Sequence, residues 1–347
     1  MSVEPLVSIL IPCYNMGDKI YRLLDSICEQ NYNNIELIIV DDGSTDNSKN
    51  VIDSYHNRFE QEGIKLQYIY QSNRGVSSAI DNGLKYVNGQ YFCWPDADDF
   101  LAPTSIKERV DFLEQNSEYG LVRSDAYLYY EYDLQKPIGY ISRKHKDRFK
   151  VDNLFEDYIL ERNIFFCPVC HLVRTVAFKD VNPEMSIYHG KKGQNYQLLL
   201  PLIWKYKFGY IDKPLCHYVI YRQSISHSDT DTNYHKIKFK YDDLQTTIIE
   251  TLKRMNLSDM DFKRYSEMTY NKYHLLKMKA ALQFGEKQPF LLHYNEMNGK
   301  RPLNIEILNI FIKIPFALII IKTMNQLKGQ LKSNRIVRNI IDRLTKQ

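Results

Sequence analysis

The sequence predicts an α/β fold in which a mostly parallel β-sheet is flanked by helices and followed by a helical C-terminal extension. Through roughly the first 130 residues, short apolar runs alternate with helical patterns of about 12 to 15 residues, the order typical of βαβ units. Runs such as "ELIIV" lack polar/apolar alternation, which indicates strands covered by helices on both faces. After Asp231 the pattern is predominantly helical.

Each of the first three predicted strands is followed by a predicted helix. Asp46 and Ser48 are plausible N-cap residues, and Pro103 lies near the start of a further helix. From Tyr119 to Arg174 the pattern is mixed and rich in Tyr, which we interpret as a second sub-domain that is partly strand. The predicted elements are strand Leu6–Pro12, helix Asp18–Gln30, strand Glu36–Val40, helix Asp46–Phe59, strand Leu66–Tyr70, helix Gly75–Val87 and strand Tyr91–Trp94.

The composition is that of a folded protein with at least one large core. At 347 residues and 44% hydrophobic, the chain is long enough for two domains. A net charge of +4 does not favour a general polyanion binder, so we expect no nucleic acid partner. Six cysteines favour a reducing compartment over a disulfide framework. Because no run reaches the 18 or so apolar residues of a spanning helix, we expect a cytoplasmic protein.

Aspartates follow two of the predicted strands. The segment "IELIIVDDGSTDNS" (35–48) has Asp41 and Asp42 after one strand, and "QYFCWPDADDF" (90–100) has Asp96, Asp98 and Asp99 after another. Open parallel sheets bind ligands outside the carboxyl ends of their strands, so we expect one shared site. Clustered carboxylates repel each other unless they are protonated, paired with bases or bound to a cation. Mn²⁺ or Mg²⁺ holding a diphosphate is the simplest explanation, and a solvated acidic turn is the alternative.

Four segments together resemble the GT-A fold glycosyltransferases of family 2. They are "VSILIPCYNMGDK", "IIVDDGSTDNS", "NRGVSSAIDNGL" and "WPDADDF", in the family's order and spacing. The resemblance implies an inverting enzyme with a nucleotide-sugar donor and a GT-A catalytic domain over residues 1–230. It divides that domain into a nucleotide-binding half (1–118) and an acceptor half (119–230), followed by a helical C-terminal region (231–347).

The resemblance also implies roles for residues that follow the first two strands. Pro12 starts a loop in which Tyr14 lies against the nucleobase, where an aromatic face gives affinity for any base. Asp42, beside Asp41, resembles the acid that accepts a hydrogen bond from the uracil imide. An ionised carboxylate can only accept hydrogen bonds, so it suits uracil better than cytosine.

The second acidic segment has the remaining donor-binding roles. Asp96 and the adjacent Ala97 would contact the ribose or the sugar, while Asp98, together with Asp99, would bind the metal and the diphosphate. The resemblance thus explains both groups of aspartates: one acid recognises the base and the others bind the metal.

The "NRGVSSAIDNGL" segment departs from the family pattern, which usually has Arg at the position of Ile80 and Asn at the position of Asp81. A phosphate contact is therefore missing. Arg74 is a candidate to replace that charge, and a solvent-facing arginine in a loop is the alternative.

The catalytic base is the second departure. Inversion requires a base close to the attacking acceptor hydroxyl, and in this family it commonly comes from a Glu-Asp pair that opens a helix. Here "GQNYQLLL" has Gln194 and Asn195 in that place, and an amide cannot accept a proton at useful pH. We expect Gln194 and Asn195 to bind hydroxyl groups, with His189 as the candidate base.

A third departure lies in "HYVIYRQSISHS", where the family tends to carry an Arg and a His ahead of an S-x-S segment. Val219 and Tyr221 occupy those positions. Arg222 and His227 are candidates to replace them as a phosphate partner or ligand.

Two other segments have competing interpretations. "CPVCH" (167–171) matches haem-attachment and half-zinc-site patterns, but without a second CxxC we favour structural cysteines, with His171 as a candidate cleft residue. Residues 303–347 combine an apolar run with a basic tail. From Arg301 onward nine Lys or Arg face two acids. This combination favours a helix in the membrane headgroup plane, and packing on the catalytic domain or on a second subunit of a homo-oligomer is the alternative.

The sequence therefore predicts a peripheral membrane glycosyltransferase on the cytoplasmic face. It would move a hexosyl or N-acetylhexosaminyl group from a nucleotide-diphosphate sugar, most plausibly UDP-linked, to a glycan or lipid-linked acceptor, with inversion and with Mn²⁺ or Mg²⁺. Bacterial surface polysaccharide assembly is the setting that the resemblance implies. The alternative is a catalytically inactive, nucleotide-sugar-binding partner subunit of a glycan-assembly complex, which the missing Glu-Asp pair favours.

Overall fold

The computed structural model describes residues 4–144, 154–162, 164–221, 233–299, 301 and 303–312. The chain forms two compact units. The first consists of Met1–Asp229 and Thr246–Tyr265, and the second of Thr230–Gln245 and Ser266–Gln347. Two long helices contribute residues to both units. Whether residue 230 also separates catalytic from non-catalytic function stays a prediction.

The first unit contains a sheet flanked by helices. Its strands are β1 (Val7–Cys13), β2 (Ile35–Asp41), β3 (Lys65–Tyr70), β4 (Tyr91–Cys93), β5 (Phe100–Leu101), β6 (Tyr119–Tyr130), β7 (Gly139–Tyr140), β8 (His171–Arg174) and β9 (Lys207–Ile220). Its helices are α1 (Ile20–Cys28), α2 (Ser48–Ser54), α3 (His56–Gln61), α4 (Val76–Leu84), α5 (Ser105–Gln115), α6 (Leu154–Leu160), α7 (Thr175–Val181) and α8 (Gln194–Lys205), with short 3₁₀ turns at Ile141–Lys144 and Pro168–Cys170.

Within the described residues the strands form one sheet in the order β3-β2-β1-β4-β8-β6-β9-β5, with β7 beside β6. The long pairings, β1 with β2, β2 with β3 and β6 with β9, are parallel, as is the shorter pairing of β1 with β4. The short pairings that involve β5, β7 and β8 are antiparallel. The predicted α/β sheet is therefore confirmed, and the carboxyl ends of β1 to β4 share one edge.

The apolar faces that the sequence pattern predicted are buried. Strand β1 is almost fully buried along its length, as expected for a strand covered on both faces. Helix α1 buries Leu23, Leu24 and Ile27 on one face. On the other side of the sheet, α4 approaches β1 so closely that a Cβ atom at Gly83 would lie 2.1 Å from Leu10 Cδ1. Glycine at this position sets how closely α4 packs on the sheet.

The prediction of one continuous helix over Asp46–Phe59 is wrong, because the segment divides at Tyr55 into α2 and α3. The Tyr55 amide donates to Ile52 O, an i→i−3 bond that tightens the chain between the two helices. The N-cap of α2 is Asn47 rather than Asp46 or Ser48. The Asp46 carboxylate still accepts a hydrogen bond from the Ser48 amide at 2.9 Å, so it does satisfy a free amide at the helix start.

The helical region predicted after Asp231 is confirmed. Over the described residues 233–312 it contains α9 (Tyr234–Arg254), α10 (Asp259–Phe284), α11 (Lys287–Glu296) and α12 (Leu303–Phe311). Tyr234, Met278, Phe290 and other apolar residues form the core of the second unit. No helix within the described residues is both long and apolar enough to cross a membrane.

Helix α12 is the described part of the segment predicted to contact a membrane. Ile305 and Ile312 belong to the core of the second unit, whereas Ile307 and Ile310 are 57% and 66% exposed. The start of this apolar segment thus packs internally on one side and exposes isoleucines on the other. Residues 313–347, with most of the basic tail, lie outside the described residues.

We expect Gly83→Ala to destabilise the first unit, because the added methyl group overlaps Leu10 and lies 3.0 Å from Val40 Cγ2. Overpacking of this kind costs about 1 to 3 kcal/mol, measurable as a lower midpoint in urea denaturation. Lys85→Ala, at an exposed position just after α4, is the control. Equal stability of the Gly83→Ala variant and the wild type would show that α4 can move away from the sheet without cost.

Candidate functional site

The two groups of predicted aspartates lie at the same edge of the sheet. Asp41 is the last residue of β2, and the Asp96–Asp99 segment begins shortly after β4 ends at Cys93. Strand β1 lies between these strands and pairs in parallel with both. The carboxyl ends of the three strands therefore bring the acids to one rim, as the sequence predicted.

Asp41 and Asp42 are buried and accept several hydrogen bonds. Tyr68 Oη donates to Asp41 at 2.6 Å, and the Ser44 amide donates to Asp41 at 2.8 Å. Asp42 Oδ1 accepts hydrogen bonds from the Gln71 side chain and the Arg74 amide, and Oδ2 accepts one from the Gly75 amide at 2.7 Å. Asp42 thus ties the loop before α4 to the end of β2.

Two loops that follow β1 and β2 hold each other in place. The Asn15, Met16 and Gly17 amides donate to side chains of residues 44–48, and the Thr45 amide donates back to Asn15 Oδ1 at 2.8 Å. Glycine is favoured at position 17, because a Cβ atom there would lie 2.9 Å from the Ser48 amide nitrogen. In the loop that follows β1, Tyr14 is 45% exposed, so its ring is available to a ligand.

The Asp96–Asp99 segment combines burial with mutual repulsion. Burial and the charge of Asp98 raise the pKa of Asp96 to about 7. Burial raises the pKa of Asp99 well above its usual range, and the charges of Asp98 and Asp96 add to this. Asp99 Oδ1 accepts a hydrogen bond from the Val219 amide, while its buried Oδ2 has no partner among the described residues. Ala97 is buried between the acids.

Three residues that the sequence reasoning did not assign to the site lie beside these acids. Burial raises the pKa of Asp98, and the positive charges of Lys19 and Arg22 act to lower it. Arg22 donates to Tyr221 Oη, and the Lys19 ammonium lies 4.8 Å from the centre of the Tyr221 ring. The sequence could have indicated these two bases, because both lie at the start of α1, where a helix normally favours acidic residues. Tyr221, interpreted as a departure from the family pattern, contacts both bases.

The acids fit the divalent ion that the sequence predicted. Mg²⁺ and Mn²⁺ prefer oxygen ligands and often use only one or two carboxylates besides substrate phosphates. Asp96 and Asp98 are half-buried rather than enclosed, and burial raises the pKa of both carboxyls, so a bound cation would stabilise their charged forms. Asp99 is 1% exposed, and its Oδ1 already accepts a hydrogen bond from the Val219 amide. Its assignment as a metal ligand stays a prediction.

The start of α8 lies next to the end of β4. Gly193, with φ of 86°, turns the chain into the helix. Asn195 Oδ1 accepts a hydrogen bond from Trp94 Nε1 at 3.0 Å, and Trp94 is two residues before Asp96. The structure therefore brings Asn195 to the acidic segment, and Gln194 beside it is half-buried.

His189 is paired with Asp81, the residue that departs from the family pattern. Its Nε2 donates to Asp81 Oδ2 at 2.9 Å, and its side chain is 48% exposed. Asp81 also accepts hydrogen bonds from Ser186 Oγ and the Ile187 amide. Although burial acts to raise the pKa of Asp81, the hydrogen bonds from His189 and Ser186 outweigh it and leave that pKa below its usual value.

Two further candidate site residues, Arg74 and His171, do not have the environments that the sequence predicted. Arg74 uses its amide, not its side chain, to contact Asp42, and the side chain is exposed. His171 is 1% exposed and stacks on Trp94 with ring centres 5.7 Å apart, so it does not line an open cleft. Burial lowers the pKa of His171 to about 3, and the positive charges of Arg123 and Arg109 lower it further. The candidates Arg222 and His227 lie outside the described residues.

The chain belongs to glycosyl transferase family 2, because residues 8–181, half of the chain, match the model of that family. A Rickettsia prowazekii protein named as an uncharacterized glycosyltransferase is 32% identical over 214 residues, which are 61% of this chain and 55% of that protein. Glycosyltransferase GlyA of Streptococcus pneumoniae is 26% identical over 247 residues, 68% of this chain and 34% of GlyA. The chain thus spans about half the length of the Rickettsia relative, and less of GlyA.

Solved structures share the fold at low identity. S. aureus TarS 1–349 in complex with UDP-GlcNAc has a TM-score of 0.62 and 15% identity, covering 92% of this chain and 89% of that chain. The mannosyltransferase PcManGT from Pyrobaculum calidifontis in complex with GDP-Man and Mn²⁺ has a TM-score of 0.53 and 14% identity, covering 95% and 87%. The predicted GT-A fold with a C-terminal helical region is therefore confirmed.

We expect Asp96→Asn to stabilise the metal-free protein at pH 8 and to have a smaller stabilising effect at pH 5. A carboxyl with a raised folded-state pKa loses folding stability as the pH rises towards that pKa, because only the unfolded state releases its proton readily. The gain at pH 8 should be at least about 1 kcal/mol, close to the equivalent of one pKa unit. Urea denaturation in EDTA at both pH values measures it. Asp18→Asn, with a 76% exposed side chain, is the control. An equal effect of Asp96→Asn at both pH values would contradict the raised pKa of Asp96.

Proposed function

We propose that this protein is an inverting glycosyltransferase that moves a sugar from a UDP-linked donor to a glycan or lipid-linked acceptor. The observation that carries the proposal is the meeting of Asp42 and the Asp96–Asp99 segment at one sheet edge, with Tyr14 and two bases beside them. Family membership and the UDP-GlcNAc named with TarS support a UDP-sugar of the hexose or N-acetylhexosamine type.

The uracil contact would use the unfilled acceptor capacity of Asp42. A carboxylate offers about four lone-pair positions, and protein donors occupy three of them. Oδ2 accepts only the Gly75 amide within the described residues, so it can take the imide N–H of uracil. Pro12 lies in β1, and Tyr14, at the start of the loop that follows this strand, would supply the stacking face.

The diphosphate would lie between the acids and the bases. Asp96 and Asp98 would hold Mn²⁺ or Mg²⁺, with Ala97 keeping the backbone close and Asp99 supporting the turn. When bound, the ion neutralises charge on the departing diphosphate. Lys19 and Arg22 already offset the charge of Asp98, and they would do the same for the phosphates. Lys19 and Arg22 would thus supply the positive charge beside the diphosphate that Arg74 was expected to provide.

The base we propose is His189, positioned by Asp81. Because Nε2 donates to Asp81, the neutral ring has its lone pair on Nδ1, on a side chain that is 48% exposed. Asp81 would stabilise the imidazolium formed when an acceptor hydroxyl transfers its proton. Asn195, held by Trp94, and Gln194 would bind sugar hydroxyls, since amides donate and accept but do not take protons.

An inactive partner subunit is the second candidate, favoured by the absence of acids at Gln194 and Asn195. In either case the proposed setting is the cytoplasmic face of the membrane, with residues 303–347 in contact with lipid or with a second subunit. Mass spectrometry of acceptor extracts incubated with a panel of donors separates the two candidates. Transfer of any sugar supports the enzyme, and tight UDP binding without turnover supports the partner.

We expect Asp98→Asn to weaken UDP binding at least tenfold in the presence of Mn²⁺ and to have little effect in EDTA. The reason is that Asp98 acts on the diphosphate through the ion. Isothermal titration calorimetry measures both affinities, and Asp53→Asn, at an exposed position in α2, is the control. Wild-type UDP affinity that is the same with Mn²⁺, Mg²⁺ and EDTA would contradict the proposed metal role.

We expect His189→Gln to lower kcat by about 10²- to 10⁴-fold while the Kd for UDP stays within twofold, since general base catalysis contributes on that scale. Asp81→Asn should give a smaller loss of kcat and move the pH profile, because the imidazolium loses its carboxylate partner. His56→Gln, at an exposed position in α3, is the matched control. A His189→Gln variant with wild-type kcat would exclude His189 as the base.

A further inference from the structure

Three side chains of the second unit converge on one point. His274 lies on α10, and His293 and Glu296 lie three residues apart on α11, so the latter two share one helix face. Of the described residues, this is the one set of three His, Cys, Asp or Glu residues whose ligand atoms all lie within 4.8 Å of one another. The aspartates at the sheet edge of the first unit do not form such a set.

The ligand atoms His274 Nδ1, His293 Nδ1 and Glu296 Oε2 form a triangle. The distances between them match those between the ligand atoms of a tetrahedrally bound ion. His274 Nδ1 and His293 Nδ1 are 3.2 Å apart, and Glu296 Oε2 lies 3.3 Å from His293 Nδ1 and 3.5 Å from His274 Nδ1. Zinc bonds to nitrogen and oxygen of about 2.0 to 2.2 Å give tetrahedron edges of about 3.3 to 3.6 Å. One ion can therefore bond all three atoms with little movement.

Hydrogen bonds alone satisfy this triangle poorly. Each neutral imidazole has at most one proton on Nδ1, and Glu296 Oε2 can only accept when ionised. If both Nδ1 atoms donate to Glu296, their two N–H groups face each other across 3.2 Å. If only one donates to Glu296, the other nitrogen contacts the carboxylate oxygen with a lone pair. A cation removes this conflict, because all three atoms then act as electron-pair donors.

A fourth residue orients one of the proposed ligands. The Tyr234 hydroxyl, from α9, lies 2.8 Å from His293 Nε2, so with Nδ1 bonded to an ion the ring would donate from Nε2 to Tyr234. Metal-bound histidines nearly always have such a partner on the second nitrogen. Tyr234 and His293 are each 3% exposed, so this contact is protected from water.

We propose that His274, His293 and Glu296 form a binding site for Zn²⁺ or a chemically similar late transition-metal ion. Two imidazoles and one carboxylate are a ligand set that such ions favour, whereas Mg²⁺ and Ca²⁺ prefer oxygen alone. The side chains of His274 and His293 are 13% and 4% exposed, and Glu296 is 47% exposed. The site is thus buried on the histidine side and open on the glutamate side, which leaves the fourth position to water.

The charges around the site are compatible with a cation. Lys277 is the nearby positive group, and it is paired with Asp242 at 2.5 Å and donates to Gln245 at 3.0 Å. Burial lowers the pKa of His274 and of His293, Lys277 lowers both further, and the Glu296 carboxylate acts in the opposite direction on both. An ion here would join α10 to α11 directly and α9 through Tyr234, and so stabilise the second unit.

Cobalt binding to the full-length protein tests the proposal, because tetrahedral Co²⁺ absorbs visible light far more strongly than Co²⁺ in an octahedral oxygen site. After EDTA treatment and desalting, we expect one equivalent of Co²⁺ to develop the tetrahedral bands and one equivalent of Zn²⁺ to remove them. His274→Gln and Glu296→Gln should each abolish the bands. His56→Gln, which alters an exposed histidine paired with Glu60 in the first unit, is the matched control and should leave them unchanged.

A milder variant keeps the test informative if a ligand substitution disturbs folding. Tyr234→Phe retains the ring and all three ligands, and loss of such an orienting partner typically weakens metal affinity by about 10- to 100-fold. Competition with a chromophoric chelator measures that loss. Absence of tetrahedral bands in the wild type, or bands that persist in both the His274→Gln and Glu296→Gln variants, overturns the proposal. The second result would point to the buried Cys167 and Cys170, whose Sγ atoms are 3.3 Å apart.

Discussion

Burial of several carboxylates at one rim of the sheet is the constraint on which the first unit depends. Parallel pairing of β1 with β2 and β4 brings Asp42 and the Asp96–Asp99 segment to the same edge, and burial removes the water that would screen their charges. The protein relieves part of the cost with amide donors to Asp42 and with Lys19 and Arg22 near Asp98. The remaining cost of burying these charges is seen in the raised pKa values of Asp96, Asp98 and Asp99, so the rim favours a cationic ligand.

The same edge shows how a family site can keep its layout while individual residues change. Where the pattern has Asn, Asp81 here pairs with His189, and where it has an acidic pair, Asn195 here accepts a hydrogen bond from Trp94. Tyr221 replaces a basic residue, yet it contacts Arg22 and Lys19, which carry charge into the same region. These three departures are thus each matched by a contact from a distant part of the chain.

The second unit has its own polar centre within a helical core. The buried residues His293, Lys277 and Tyr234 each have a polar partner within the unit, which is what burial of such groups requires. The convergence of His274, His293 and Glu296 is harder to explain by hydrogen bonds than by a bound ion. Polar contacts of this kind fix the relative register of helices more specifically than apolar packing does.

The sequence by itself determined the α/β class and the alternation of the first strands and helices along the chain. It also determined the acids that end β2 or follow β4, because these features depend on local periodicity and on residues adjacent in the chain. It also determined Asp42 and the Asp96–Asp99 segment as the candidate site. Only the tertiary structure decided the break at Tyr55, the burial of His171 and the pairing of Asp81 with His189, residues separated by 108 positions. The reason is physical: strand and helix signals are local, whereas burial and charge pairing depend on which distant segments meet.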